Sequence, residues 1–166
     1  MNIVREALDR WVDTGAGERV ALRCVAPDGL ARSLSYRQLA EQVRRCAGAL
    51  ARLGLARGET VAVLLERRPE VAICGLAALR LGAVFCPLLA GLGTEPIRQR
   101  LVLGDAKMLI TTPELYLRNV APQRGTLPGL RHVILVEAPA SPIAGTLILS
   151  ALLAEAPPGE IAATTA

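Results

Sequence analysis

Rings are scarce in this chain: one tryptophan, two tyrosines and one phenylalanine make up 2% of 166 residues. Recognition of nucleic acids or sugars by stacking needs exposed aromatics, so that class of function is disfavoured. A single histidine, His132, excludes a His-rich metal site and a Cys/His zinc finger. The four cysteines, Cys24, Cys46, Cys74 and Cys86, have no CxxC spacing, and each sits in an apolar segment. They read as buried thiols of a reducing cytoplasm. Phosphate-cradling loops are missing too, with no GxGxxG after the first strand of the βα series and no GxxxxGK[ST] anywhere. The connection "LLERRPE" places two arginines where a dinucleotide site needs glycines, which disfavours an NAD-type enzyme. There is no GxSxG elbow. Lys107 is the only lysine; the rest of a formal +4 charge is scattered arginine, in runs no longer than Arg44-Arg45 and Arg67-Arg68. Such charge solvates helix faces, and no nucleic-acid partner is expected. The start, "MNIVREALDRW", breaks its apolar residues with charges where a secretory signal needs an apolar core. A cytoplasmic location is expected.

Apolar residues make up 52% of the chain, enough for one domain with a core of Leu, Val, Ile and Ala. Asn2 is placed to cap a first helix to about Trp11, with Ile3, Ala7, Leu8 and Trp11 on its apolar face. "RVALRCV" alternates, Asp28-Gly29 supplies turn residues and "RSLSY" is extended again, which predicts a β-hairpin. Ser35 and Gln38 have capping-box spacing ahead of a helix whose apolar face is Leu39, Val43, Ala47 and Leu50, ended by Gly54. "TVAVLLE", 60–66, is apolar without alternation, as a strand covered on both faces must be.

The longest apolar stretch, Val71 to Gly93, has the ~20-residue length of a membrane span. Arg80, Pro87 and its glycines argue against one; split at Gly82, it gives a helix from Pro69 to about Leu81 and a short buried strand, "AVFCPL". No membrane partner is expected. Further on, Thr94 is predicted to cap a helix with Pro96 in its first turn, followed by a strand at 107–112 and a helix at 113–121. A strand at 131–137 and a last helix, "TLILSALLAEA", complete the series. Alternating strands and helices predict an α/β fold: a three-layer sandwich around a mostly parallel, doubly wound sheet, with the N-terminal helix and hairpin added. One domain is expected over 1–156, with 157–166 a linker or tail.

Candidate site residues are few. His132 reads as a strand-edge residue, because a lone histidine needs spatial partners before it acts as a base. Asp105, after Gly104 at a helix end, reads as a turn residue. Gly91 and Gly93 fall in a loop at the carboxyl end of a strand, where open α/β sheets bind ligands. No residue is assigned to catalysis or to a metal.

The segment from Leu34 to Leu89 resembles the N-terminal region of the adenylate-forming ligases, which include acyl-CoA synthetases, peptide-synthetase adenylation domains and luciferases. The resemblance rests on Leu34-Ser35-Tyr36-Arg37-Gln38-Leu39, on Gly58-Glu59-Thr60-Val61-Ala62-Val63, and on the element from Ala77 through Pro87. "AGLGTEPIRQRLVLGDAKMLITT" is similar to that family's next segment, with Arg100 at its helix arginine. The "PLLAGLG" loop is closest to short- and medium-chain acyl-CoA synthetases. The resemblance implies ATP, magnesium and coenzyme A as requirements of a complete enzyme. It also implies that the phosphate loop, the magnesium-binding Glu, the ribose-binding Asp and the catalytic Lys fall beyond these residues. Lys107 matches a structural position, so the segment is expected to be inactive alone. Gly91 matches a loop glycine beside coenzyme A in the acetyl-CoA synthetase branch; a turn role alone is the other reading. The remainder of a ligase or a complementary chain is the implied partner, with a homo-oligomer or a non-catalytic interaction module as alternatives.

Overall fold

The computed structural model describes residues 2–25 and 29–155. A π-helical turn over Arg5–Asp9 continues as α1 (Arg10–Asp13), followed by a hairpin of β1 (Val20–Val25) and β2 (Ala31–Ser35). Then come α2 (Tyr36–Arg52), β3 (Thr60–Leu65), α3 (Pro69–Arg80), β4 (Val84–Leu89), α4 (Thr94–Leu103) and β5 (Ala106–Thr111). The series ends with α5 (Pro113–Asn119), a 3₁₀ turn over Ala121–Thr126, β6 (His132–Leu135), β7 (Thr146–Ile148) and α6 (Leu149–Ala154). The predicted turn residue Asp28 and the predicted tail lie outside the described residues.

Five strands form one sheet in the order β4-β3-β5-β6-β7, with every pairing parallel. Alternate residues of the inner strands feed two cores. Val61, Val63, Met108, Ile110 and Ile134 meet residues of α2 and α3 on one face. Ala62, Leu64, Leu109, Val133 and Leu135 meet Ile97 and Leu101 of α4 and Leu115 of α5 on the other. The three-layer, doubly wound α/β reading is therefore correct. No helix among the described residues is long and apolar enough to cross a membrane, and the stretch from Val71 to Gly93 divides into α3, β4 and the loop beyond.

Local chemistry sets the element boundaries. The Ser35 N–H donates to Gln38 Oε1 (2.9 Å) and the Gln38 N–H to Ser35 Oγ (3.2 Å), which is the predicted capping box at the start of α2. Helices α2 and α3 end the same way. Gly54 and Gly82 take positive φ (79° and 72°), Leu55 N–H returns to Leu50 O, and Ala83 N–H returns to Ala78 O. These 6→1 bonds are Schellman closures, and each hands the chain straight to the next strand.

Five expectations need correction. Val4 and Leu8 form the buried face of the first helix, while Ile3 is 61% exposed and Ala7 is also exposed. The anchor is Asn2: its Oδ1 accepts from Val4 N–H, and its amide donates to the last carbonyls of α3, Leu79 O and Arg80 O, which turns Val4 inward. Thr94 does not cap α4; Gly93 is the N-cap and no side chain caps it, while Thr94 O accepts from Gln123 Nε2. Residues 146–148 form strand β7 rather than helix, because Thr146 to Ile148 pair alongside β6. Only Cys46 and Cys74 are buried; Cys24 lies on the outlying hairpin and Cys86 on an edge strand, so both are half-buried. For the same reason β4 is not buried throughout.

Two braces tie the periphery to this framework. Asp9 receives the Arg80 guanidinium, whose side chain is only 4% exposed, at 2.5 Å. Replacing Asp9 with Ala takes the carboxylate from a buried guanidinium and should cost about 3 kcal/mol, read from urea unfolding. At the amino end of the sheet, Glu59 Oε2 accepts from Ala56 N–H (2.9 Å) and pairs with Arg131. The backbone bond from Ala56 and then Arg131, with Lys107 nearby, hold its carboxyl below the ordinary value of 4.5. A depressed native pKa means the unfolded chain binds the proton first as pH falls. The stabilisation is complete above 4.5 and disappears as pH falls through the native value. Unfolding midpoints of the wild type and Glu59→Gln, apart at neutral pH, should therefore converge as pH is taken below the ordinary value of 4.5.

Candidate functional site

From β3 the chain crosses through α3 to β4 on one side, and from β4 it returns through α4 to β5 on the other. The connections diverge at the carboxyl ends of β3 and β5, where open α/β sheets leave a crevice for ligands. Four loops meet that end of the sheet: 66–68 after β3, 90–93 after β4, 112 after β5 and 136–137 after β6.

Arg68 ties these loops together. As the residue before Pro69 it is held extended (φ −135°, ψ 154°), and its Nη1 reaches Glu137 Oε1 at 3.2 Å while Nε lies 3.4 Å from Glu70 Oε2. The ion pair joins the loops after β3 and β6, on either side of the end of β5. There the Thr111 N–Cα–C unit lends its carbonyl to Val136 N–H (2.9 Å). The side chain of Thr111 is fully buried and its Oγ1 has no hydrogen-bond partner. Thr112 Oγ1 accepts from Leu115 N–H (3.2 Å) and so caps α5.

Gly91 is exposed in the turn after β4, and a Cβ built on it meets nothing within 4 Å. Neither crowding nor a positive φ requires glycine there. Just beyond it, Glu95 in the first turn of α4 accepts from both Arg98 and Gln99, which hold its carboxyl down to about 2. An exposed Glu95–Arg98 ion pair therefore stands at the start of that helix.

The remaining candidates lie elsewhere. His132 opens β6, and Asp105 takes φ 45° in the turn before β5 with Lys107 Nζ at 2.6 Å; both are at the amino end of the sheet, away from the crevice. Asp105 is the turn residue expected, and the sole lysine braces it. Neither Cys74 nor Cys86 is activated. Burial raises Cys86, and the Cys46 contact with burial raises Cys74. Among the described residues no three His, Cys, Asp or Glu side chains converge on a metal position. The sequence reading missed Thr111 and the Arg68–Glu137 clamp. Their signal was opposite charge at the ends of two apolar strands, which becomes a pair only once the sheet order is known.

The AMP-binding enzyme family model matches residues 8–163. Acetyl-coenzyme A synthetase of Streptomyces coelicolor is 35% identical over 119 residues, covering 72% of this chain and 18% of that protein. The enzyme of the same name from Deinococcus radiodurans is 32% identical over 150 residues, covering 86% and 23%. The crystal structure of an acyl-CoA synthetase from Brucella canis superposes with a TM-score of 0.82 at 28% identity, covering 96% of this chain and 28% of that one. An anthranilate CoA ligase in complex with anthranoyl-AMP also superposes at 0.82, with 25% identity over 98% and 30%. The chain thus spans less than a third of each of these four proteins. With the strand order, the carboxyl-end loops and these likenesses in agreement, the chain belongs to the AMP-binding enzyme family and corresponds to part of an acyl-CoA synthetase-like member.

Proposed function

We propose that these residues form the N-terminal α/β portion of a cytoplasmic acyl-CoA synthetase-like ligase and supply its scaffold and one edge of its coenzyme A surface. The observation that carries the reading is the superposition of 96% of the chain on 28% of an acyl-CoA synthetase. In the complete ligase a carboxylate would attack the α-phosphate of ATP, releasing pyrophosphate. The coenzyme A thiol would then displace AMP from the acyl-adenylate. A relative holding anthranoyl-AMP supports an adenylate of this kind.

The proposal includes inactivity in isolation and completion by the remainder of a ligase, in the same polypeptide or a separate one; it is supported by the small share of each related ligase that the chain covers. Exposed Val84 and Leu89 on β4 favour such a partner over a free-standing module.

Gly91 fits a close backbone contact to coenzyme A, because its surroundings are open. Incubation of the chain with ATP, magnesium, a panel of carboxylic acids and coenzyme A should release no pyrophosphate; any enzymatic release would overturn the inactivity. Titration with coenzyme A should show weak binding, reduced at least about fivefold by Gly91→Trp. Absence of binding at millimolar coenzyme removes Gly91 from the proposal.

A further inference from the structure

The β1–β2 hairpin does not lie flat on the sandwich. Between it and α3 is a groove of about 530 Å³, walled by Leu22 and Val25 of β1, Val71 and Leu76 of α3, and Phe85 of β4. A volume of a few hundred Å³ with apolar walls and few polar groups is the usual form of a small-ligand site. The wall depends on Gly75: a Cβ there would lie 2.9 Å from the Phe85 ring, so glycine lets the ring lie against α3.

Three arginines line the mouth, Arg23, Arg67 and Arg68. Arg68 is occupied by Glu70 and Glu137. Arg23 and Arg67 are exposed and form no ion pair among the described residues. Two uncommitted cations beside an apolar wall favour a ligand with an anionic head and an apolar tail. They disfavour a second copy of the chain, because a twofold contact over the groove would bring like charges together.

We propose that this groove binds an anionic amphiphile, with the tail along Leu22, Leu76 and Phe85 and the head between Arg23 and Arg67. The site is separate from the loop carrying Gly91 and stands whether or not the ligase reading holds. Cys24 gives an internal reporter, since it is half-buried in the groove wall while the equally half-buried Cys86 packs toward the opposite core.

The test uses the whole chain with decanoate and decyl phosphate below their micelle concentrations, and decanol as the uncharged control. Both anions should bind saturably and slow maleimide labelling of Cys24 but not of Cys86. Decanol and the Arg67→Glu variant should each show binding about tenfold weaker, the loss of one charge-assisted contact. Leu76→Trp, which fills the groove, should abolish binding; Arg67→Glu, at an exposed site, keeps the test valid if that variant fails to fold. Equal binding of decanol, indifference to Arg67→Glu, or unprotected Cys24 at saturating decanoate would overturn the site. So would Cys24 protection that rises with protein concentration without ligand, since a second copy would then occupy the groove.

Discussion

Strand β3 is buried at every residue from Thr60 to Leu65, and the architecture follows from that constraint. Its backbone needs a ladder on both edges and its side chains a core on both faces. The ladders come from β4 and β5, and because both are parallel to β3, tight hairpins cannot connect them. Crossover helices are required. Right-handed crossovers to opposite sides of one strand place α3 and α4 on opposite faces, which covers both cores at once.

The two ends of the sheet then acquire different jobs. At the amino end the Schellman closures of α2 and α3 bring the chain in tightly, and Glu59–Arg131 and Asp105–Lys107 pin the turns. The room left there is a pocket of about 290 Å³ between the end of α4, the Asp105 turn and the loop before β6. At the carboxyl end the loops diverge and a long-range ion pair holds them in place of backbone turns. Thr111, with an unpartnered hydroxyl, is a polar group the isolated fold does not need in order to close its core. A buried unpaired hydroxyl costs on the order of 1 to 3 kcal/mol, so its position at the crevice fits a surface built for something other than stability.

Features that depend on neighbours a few residues apart were legible in the sequence. The capping box, the terminating glycines and the unbroken apolar run of β3 each carry their cause within one window, and the alternation of elements gave the sandwich. Features that depend on tertiary neighbours were not legible. The segment Thr146 to Leu153 is apolar at both the strand and the helix period, and only the free edge of β6 decides that its first three residues become β7. Ile3 and Val4 are equivalent by composition, and the choice between them is made by Asn2 reaching the carbonyls of α3. Arg68 and Glu137 are 69 residues apart, and the groove needs the hairpin to be placed before it exists. In the candidate site, Gly91 was reached through loop position and resemblance; its open surroundings could be seen only in three dimensions.

The edge strand β4 shows how a partner would have to approach. Val84 N–H donates to Glu59 O, so Val84, Cys86 and Leu88 turn their backbone groups toward β3. In a strand the direction alternates, so the backbone of Phe85, Pro87 and Leu89 faces outward. Pro87 has no N–H to offer, and it stands midway along that edge, which interrupts the row of donors that an added strand would need. Further chain is therefore better received through side chains than by extending the ladder; the exposed Val84 and Leu89 lie on opposite faces of the strand, so a neighbour must wrap the edge to cover both. An edge blocked to strand addition but still apolar suits a surface that packs against one particular neighbour while resisting indiscriminate pairing between sheets.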